Sequence, residues 1–313
     1  MTAAIWIMCR IRRAKCQSGR PFPTPLALVA PTAACCFASI MTDLIWVESS
    51  WQAASWACDD RALHYGDGLF ETIRLNAQGE APLWAFHRQR LQQGLTALHF
   101  PAGSLDTIEQ AWQALPLAAR QPGAGKLLVS RGSGPRGYAM PSAPELRLLW
   151  QSFTPPSWAY QRFPQGLVAD LGQVALSRQP LLAGFKHLNR LEQVLARQSM
   201  PDHCQELVLC DTSGQVVEGC MSNLVVCWQG HWLTPPLTQA GVNGVVRRWL
   251  LQEQLVSVAD ITPEILLTAE SVFFCNTLNG IIAVHRLADR VFHHKDGQHH
   301  IDYLQQRLEA LFC

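Results

Sequence analysis

Leu182-Ala183-Gly184-Phe185-Lys186-His187-Leu188-Asn189-Arg190-Leu191-Glu192-Gln193 is the stretch on which the fold turns. Its first half is apolar around one amine. Its second half opens a helix predicted over 189–197, with Leu191, Val194 and Leu195 on one face. Lys186 therefore stands at a strand-to-helix junction in apolar surroundings. Desolvation there disfavours the ammonium and lowers its pKa, as an amine nucleophile or Schiff-base lysine requires. A lysine that lays its stem on apolar surface and sends its head to water has the same local pattern.

Lysine is scarce in this chain. Of the 25 basic residues, 21 are arginine and four are lysine: Lys15, Lys126, Lys186 and Lys295. Lys15 falls in a start expected to be unstructured, and Lys295 in a histidine-rich turn beside Asp296. Lys126 opens a strand after Gly123-Ala124-Gly125 and is expected to be exposed.

The 313 residues suffice for two domains of about 150 each. With 48% apolar and 16% charged residues, disorder is excluded for most of the chain. A net charge of +1 offers no basic face to nucleic acid, and no run of 18 apolar residues spans a membrane. Eleven cysteines without a Cys-x-x-Cys pair read as reduced thiols of a cytoplasmic enzyme rather than a disulfide framework. His293-His294 and His299-His300 could hold a metal, but solvated turn histidines are the expectation, and no metal site is assigned. Residues 1–40 carry five basic residues, no acid and a proline-broken stretch at 21–25. They are read as an extension or an upstream mis-start without fold, with Met41 opening an ordinary domain.

Strands are predicted at 43–47, 69–75, 126–131 and 146–153, with helices at 84–98 and 104–115, the latter capped by Ser104. Thr154-Pro155-Pro156-Ser157 begins a linker running to about 165. Beyond it come strands at 166–176, 206–211, 216–218, 224–228, 271–275 and 281–284, and helices at 244–254 and 301–312. The mixture lacks a strict βαβ rhythm. It predicts an α+β fold with an N-terminal domain over 41–153 and a barrel-like second domain over 166–313.

Three further features carry chemistry. Gln239-Ala240-Gly241-Val242-Asn243-Gly244-Val245-Val246-Arg247 is a Gly-rich turn feeding a helix, where free N–H groups and the dipole suit a phosphate. Glu218 ends an apolar strand and needs a cationic or N–H partner; a salt bridge to arginine is the default expectation. Arg131-Gly132-Ser133-Gly134-Pro135-Arg136-Gly137-Tyr138 lies between strands and suits an anionic substrate, or is a plain exposed loop.

A reactive lysine, a strand-end glutamate and a phosphate-binding helix start together describe a pyridoxal-phosphate site. With Tyr65 through Thr72, His87 through Leu91, Ser130 through Tyr138, Leu182 through Gln193, Glu218 through Leu224 and Gln239 through Arg247, the chain resembles the fold-type IV pyridoxal-phosphate enzymes. The resemblance spans about 43–310. It implies a small N-terminal α/β domain, a larger barrel-like C-terminal domain and a homodimer.

Residue by residue, the resemblance makes Lys186 the Schiff-base lysine and sets Glu218 against the pyridine nitrogen. It implies a phosphate cup of Arg90, Gly244, Val245, Val246 and Thr277, and substrate-carboxylate contacts from Arg136 and Tyr138. Thr72 is the candidate general acid. Within the family the likeness is to the branch that cleaves 4-amino-4-deoxychorismate to 4-aminobenzoate and pyruvate for folate synthesis. The alternative is a branched-chain or D-amino-acid aminotransferase. Val246 stands where those aminotransferases usually carry threonine, which favours the lyase branch. Glu71-Thr72 and Thr277 occur in both.

Overall fold

A computed structural model of the chain describes residues 43–293 and 297–313. Residues 1–42, with Lys15 and the expected domain start at Met41, and also His294, Lys295 and Asp296 lie outside the described residues.

The first sheet is antiparallel. Strands β1 (Asp43–Val47), β2 (Ser50–Ala53), β3 (Gly68–Arg74), β4 (Ala124–Ser130) and β5 (Arg147–Phe153) run in the order β2-β1-β5-β4-β3. Period-two alternation divides β3: Leu69, Glu71 and Ile73 are buried, while Phe70, Thr72 and Arg74 are half-buried on the other face. Helix α1 (Arg61–Tyr65) leads into β3, and α2 (Trp84–Ala97), α3 (Ser104–Ala114) and α4 (Leu117–Arg120) follow it. Leu91 and Leu95 of α2 and Ile108 and Ala111 of α3 pack with Ile73 and Trp150 in one core. Ser104, expected as a cap, is instead the first helical residue and is buried. Gly103 holds the cap position at φ 83°, a left-handed conformation that glycine adopts without strain.

The second sheet is mixed. It contains β6 (Leu167–Leu171), β7 (Glu206–Cys210), β8 (Val216–Gly219), β9 (Asn223–Trp228), β10 (His231–Thr234), β11 (Ser257–Val258), β12 (Ser271–Asn276) and β13 (Gly280–Leu287). Their order is β11-β10-β9-β12-β13-β6-β7-β8, and β14 (Arg290–Val291) pairs with β13. β8 is an edge strand and β9 lies five places away, yet only Cys220-Met221-Ser222 separates them in the chain. So short a connection forces the sheet to curl back on itself, which is the barrel-like form expected. β6 is shorter than the predicted strand: it ends at Leu171, and Leu176 then makes an isolated parallel bridge to Asp211.

Helices α5 (Ala159–Arg162), α6 (Leu191–Gln198), α7 (Val245–Gln252), α8 (Pro263–Thr268) and α9 (Gly297–Ala310) complete the described residues. Residues 154–165, expected as a linker, thus carry a helical turn. Arg74 of β3 pins them, its guanidinium 3.5 Å from the Trp158 ring centroid and donating to the carbonyls of Pro156 (3.1 Å) and Leu278 (2.5 Å). α6 contradicts its own pattern. Its apolar residues Leu191 and Leu195 are 76% and 53% exposed.

Candidate active site

Backbone hydrogen bonds stitch the Lys186 segment between the two sheets. The Phe70 N–H of β3 donates to the Lys186 carbonyl (2.9 Å), and the Leu188 N–H donates to the Gly68 carbonyl (3.0 Å). On the other side, the Gly184 N–H donates to the Gly241 carbonyl (2.9 Å) and the Asn243 N–H to the Gly184 carbonyl (3.1 Å). Gly241 has φ 83°, and a Cβ there would meet the Val217 Cγ1 at 2.6 Å and the Glu218 Cδ at 3.3 Å. Only glycine lets this turn approach the glutamate so closely.

The segment faces a cavity of ≈540 Å3. Seven of the residues singled out from sequence line it: Thr72, Arg90, Lys186, Glu218, Gly244, Val245 and Thr277. They come from β3, α2, the 184–188 segment, β8, the start of α7 and the turn after β12, so no stretch of chain holds the site alone. Val246 is buried in α7 behind that wall. Arg136 and Tyr138 do not line the cavity; both are exposed, Tyr138 by 86%. Arg61 holds their loop, donating to the carbonyls of Tyr138 (3.4 Å) and Ala139 (3.0 Å), and the Tyr65 hydroxyl accepts from the Gly137 N–H (3.2 Å).

Charge in the cavity is tuned by burial. Burial, then the charges of Arg90 and Arg190, pull the Lys186 ammonium down to about 8, against Glu71 and Glu218. The ammonium is still the major form near neutral pH, but the neutral share is a few hundredfold larger than for an ordinary lysine. Burial pushes the Glu218 carboxyl up to about 7, against the pull of the Val242 N–H, Arg190 and Lys186. Glu218 does not make the expected salt bridge to arginine; its Oε2 accepts from the Val242 N–H at 2.8 Å. Asn223 secures the adjoining helix start, its Oδ1 accepting from the Gly244 N–H (2.9 Å) and its Nδ2 donating to the Val242 carbonyl (2.8 Å).

Arg90 is braced by Glu71, which is also buried. The Arg90 Nε donates to Glu71 Oε1 (2.8 Å), its Nη1 to the Asn243 carbonyl (3.2 Å), and His87 Nδ1 lies 2.6 Å from Glu71 Oε2. Burial opposes the Glu71 charge, but Arg90 and then His87 overcome it and hold the carboxyl down at about 2. Replacing Glu71 with glutamine leaves Arg90 buried without its counter-charge and should cost about 3 kcal/mol. A thermal melt of the apoprotein at pH 7 checks this; a change within about 0.5 kcal/mol, the range of an ordinary surface substitution, refutes it.

Lys126 is not the solvated lysine expected from sequence. The β3–β4 register sets it opposite Thr72, it is half-buried, and burial lowers its pKa. Its Nζ is 4.7 Å from the Phe70 ring centroid and the Lys186 Nζ 4.3 Å from the same ring, so the two amines share one aromatic surface. Arg190, Gln193, Arg197 and Asn276 also line the cavity and were not singled out from sequence. The spacing of Arg190, Gln193 and Arg197 along α6 and its N-cap was visible, but the apolar residues of that helix masked it.

Pyridoxal phosphate fits this set of groups. Its aldehyde needs an amine that gives up its proton readily, its ring nitrogen an acid, and its phosphate N–H donors and a cation. Lys186 and Glu218 meet the first two needs. For the third, no side chain caps α7, so the N–H groups of Val245 and Val246 at its first turn have no partner within the helix. Arg90 and the Thr277 hydroxyl are in the same wall.

The chain belongs to the class IV aminotransferase family, whose description matches residues 68–287. An aminodeoxychorismate lyase of Vibrio harveyi is 34% identical over 232 residues, 72% of this chain and 84% of that protein. The crystal structure of 4-amino-4-deoxychorismate lyase from Pseudomonas aeruginosa is similar with a TM-score of 0.77 and 36% identity, covering 86% of this chain and 98% of that one. The fold is thus the fold-type IV architecture that the sequence implied. A branched-chain-amino-acid aminotransferase of Escherichia coli is 26% identical over 263 residues, 77% of this chain and 84% of that protein.

Proposed function

We propose that this chain is a pyridoxal-phosphate-dependent lyase that cleaves 4-amino-4-deoxychorismate to 4-aminobenzoate and pyruvate, serving folate synthesis. The observation that carries this is the pairing in one cavity of Lys186, pulled to about 8, with the buried acid Glu218. The lyase rather than the aminotransferase is favoured by 34% and 36% identity to two proteins named as that lyase, against 26% to the aminotransferase.

When bound, pyridoxal phosphate supplies an electron sink conjugated to the substrate's amine. Lys186 would hold the cofactor through its aldehyde. As a neutral amine it takes the proton from the ring carbon bearing nitrogen. Glu218 would hold the proton at the pyridine nitrogen, and Arg90, Gly244, Val245, Val246 and Thr277 would receive the phosphate. Thr72, on the cavity face of β3, donates the proton that the departing enolpyruvyl group needs.

Arg136 and Tyr138 are assigned to a substrate carboxylate. Neither lines the cavity of its own chain, which supports a homodimer in which the loop serves the other copy. The exposed apolar side chains Leu181, Leu191 and Leu195 support the same assembly. The two sheets correspond to proposed domains over 41–153 and 166–313. Seven free cysteines among the described residues support a cytoplasmic setting. No helix among the described residues is long and apolar enough to cross a membrane.

Incubation of the holoenzyme with aminodeoxychorismate tests the proposal. Pyruvate and 4-aminobenzoate should appear in equal amounts. Neither product, together with amino transfer from an amino acid to 2-oxoglutarate, would establish the aminotransferase instead.

A further inference from the structure

The face that α6 and its N-cap Arg190 turn to the cavity is mostly polar, with Val194 the one apolar side chain on it. Leu191 and Leu195 are exposed, whereas Arg190, Gln193 and Arg197, spaced three and four residues apart, line the active-site cavity. Arg190 is largely withdrawn from water, which is costly unless partners replace the lost hydration, whereas Arg197 stays exposed to solvent where it borders the cavity. The protein itself provides few. The Arg190 Nε donates to the His187 carbonyl (2.9 Å), but its Nη2 is buried without a partner, as is the Gln193 Oε1. Arg197 has the Met200 sulfur at 2.8 Å, a weak acceptor. Arg90 in the same cavity, by contrast, is neutralised by Glu71.

The two under-partnered guanidiniums serve different places. Seven residues of helix separate them by about 10 Å along its axis, so one carboxylate does not engage both. Arg190 acts electrostatically on Lys186 and Glu218, which puts it at the reacting end. Arg197 also lines an adjoining cavity of ≈350 Å3, sharing that junction with Ser222 and Asn276. Arg162 lines that adjoining cavity too, but Arg197 alone of the two also lines the active-site cavity, which makes it the cation placed for a ligand group remote from the reacting amine.

We propose that the inward face of α6 binds the anionic oxygens of the substrate, with Arg197 taking a carboxylate remote from the amine, and so selects a dicarboxylic substrate over a monocarboxylic one. This rests on the lyase reading and names the residue that recognises its second carboxylate. A planar guanidinium facing a carboxylate forms a charge-assisted, two-pronged contact, which an ammonium reproduces only in part.

The test compares wild-type holoenzyme with Arg197→Gln and Arg197→Lys. Two readouts are taken: steady-state kinetics with aminodeoxychorismate, and calorimetric binding of isophthalate against benzoate. Arg197→Gln should raise KM about 10- to 100-fold, with kcat within about threefold of wild type. It should weaken isophthalate by a similar factor, leave benzoate unchanged and keep the cofactor's visible absorbance. Arg197→Lys should recover part of the loss. An unchanged KM, or equal weakening of both benzoates, overturns the proposal, as does loss of the cofactor absorbance, which would assign Arg197 to the cofactor. If wild type makes no pyruvate, the lyase reading fails by itself. The binding arm still decides: an Arg197-dependent preference for isophthalate upholds the carboxylate site, and no such preference overturns it.

Discussion

Lys186→Ala is expected to lower turnover of aminodeoxychorismate by about 10^4-fold and to abolish the visible absorbance of the cofactor bound through its aldehyde. The size follows from two losses at once, the covalent anchor and the base at the reacting carbon. Arginine at the same position should not rescue, because a guanidinium is never neutral at working pH. The fold should survive, since the 184–188 segment is held by its backbone, through the carbonyls of Gly184 and Lys186 and the N–H groups of Gly184 and Leu188. Borohydride reduction of wild-type holoenzyme followed by peptide mapping provides a second measurement. Label on the Lys186 peptide is expected. Label on Lys126, the other amine over the Phe70 ring, would reassign the anchor.

Glu218→Gln is expected to cut turnover about 10^2- to 10^3-fold while stabilising the apoprotein at alkaline pH. Both effects come from one buried carboxyl. Its pKa is raised from 4.5 to about 7 in the folded chain. Below pH 4.5 the folded and unfolded chains both bind the proton. Between pH 4.5 and about 7 the unfolded chain releases it and the folded chain does not, so stability falls as pH rises. The loss is complete above about 7 and amounts to about 3 kcal/mol. Glutamine keeps an acceptor for the Val242 N–H and has no charge to bury. Melting curves of the two apoproteins should therefore diverge between pH 5 and pH 8, with the variant the more stable at pH 8. Parallel curves across that range would show that Glu218 is not held protonated by its surroundings.

Much of the site was legible in sequence because its chemistry is marked locally. A lone lysine in an apolar run, a glutamate closing an apolar strand and a Gly-rich helix start each depart from what their neighbours require. The structure brings Lys186, Glu218, Gly244 and Val245 to one cavity. Groups whose meaning depends on a partner far along the chain were not legible. Glu71 reads as one more strand residue until α2 lays Arg90 and His87 against it, 19 and 16 residues on. Lys126 reads as a solvated strand start until pairing with β3 sets it opposite Thr72.

Alternation and helical periodicity by themselves gave an α+β chain, and Lys186, Glu218 and the Gly244 helix start, together with the family resemblance, gave the expectation of a pyridoxal-phosphate site. They could do so because burial of an ionisable group leaves an imprint on the residues next to it. Tertiary structure alone decided that the second sheet curls, that Arg90 is braced by Glu71, that Lys126 shares the Phe70 ring with Lys186, and that α6 faces inward with its arginines. A helix's periodicity states which residues share a face but not what that face meets. On α6 the cavity, rather than the apolar core, took the inner side.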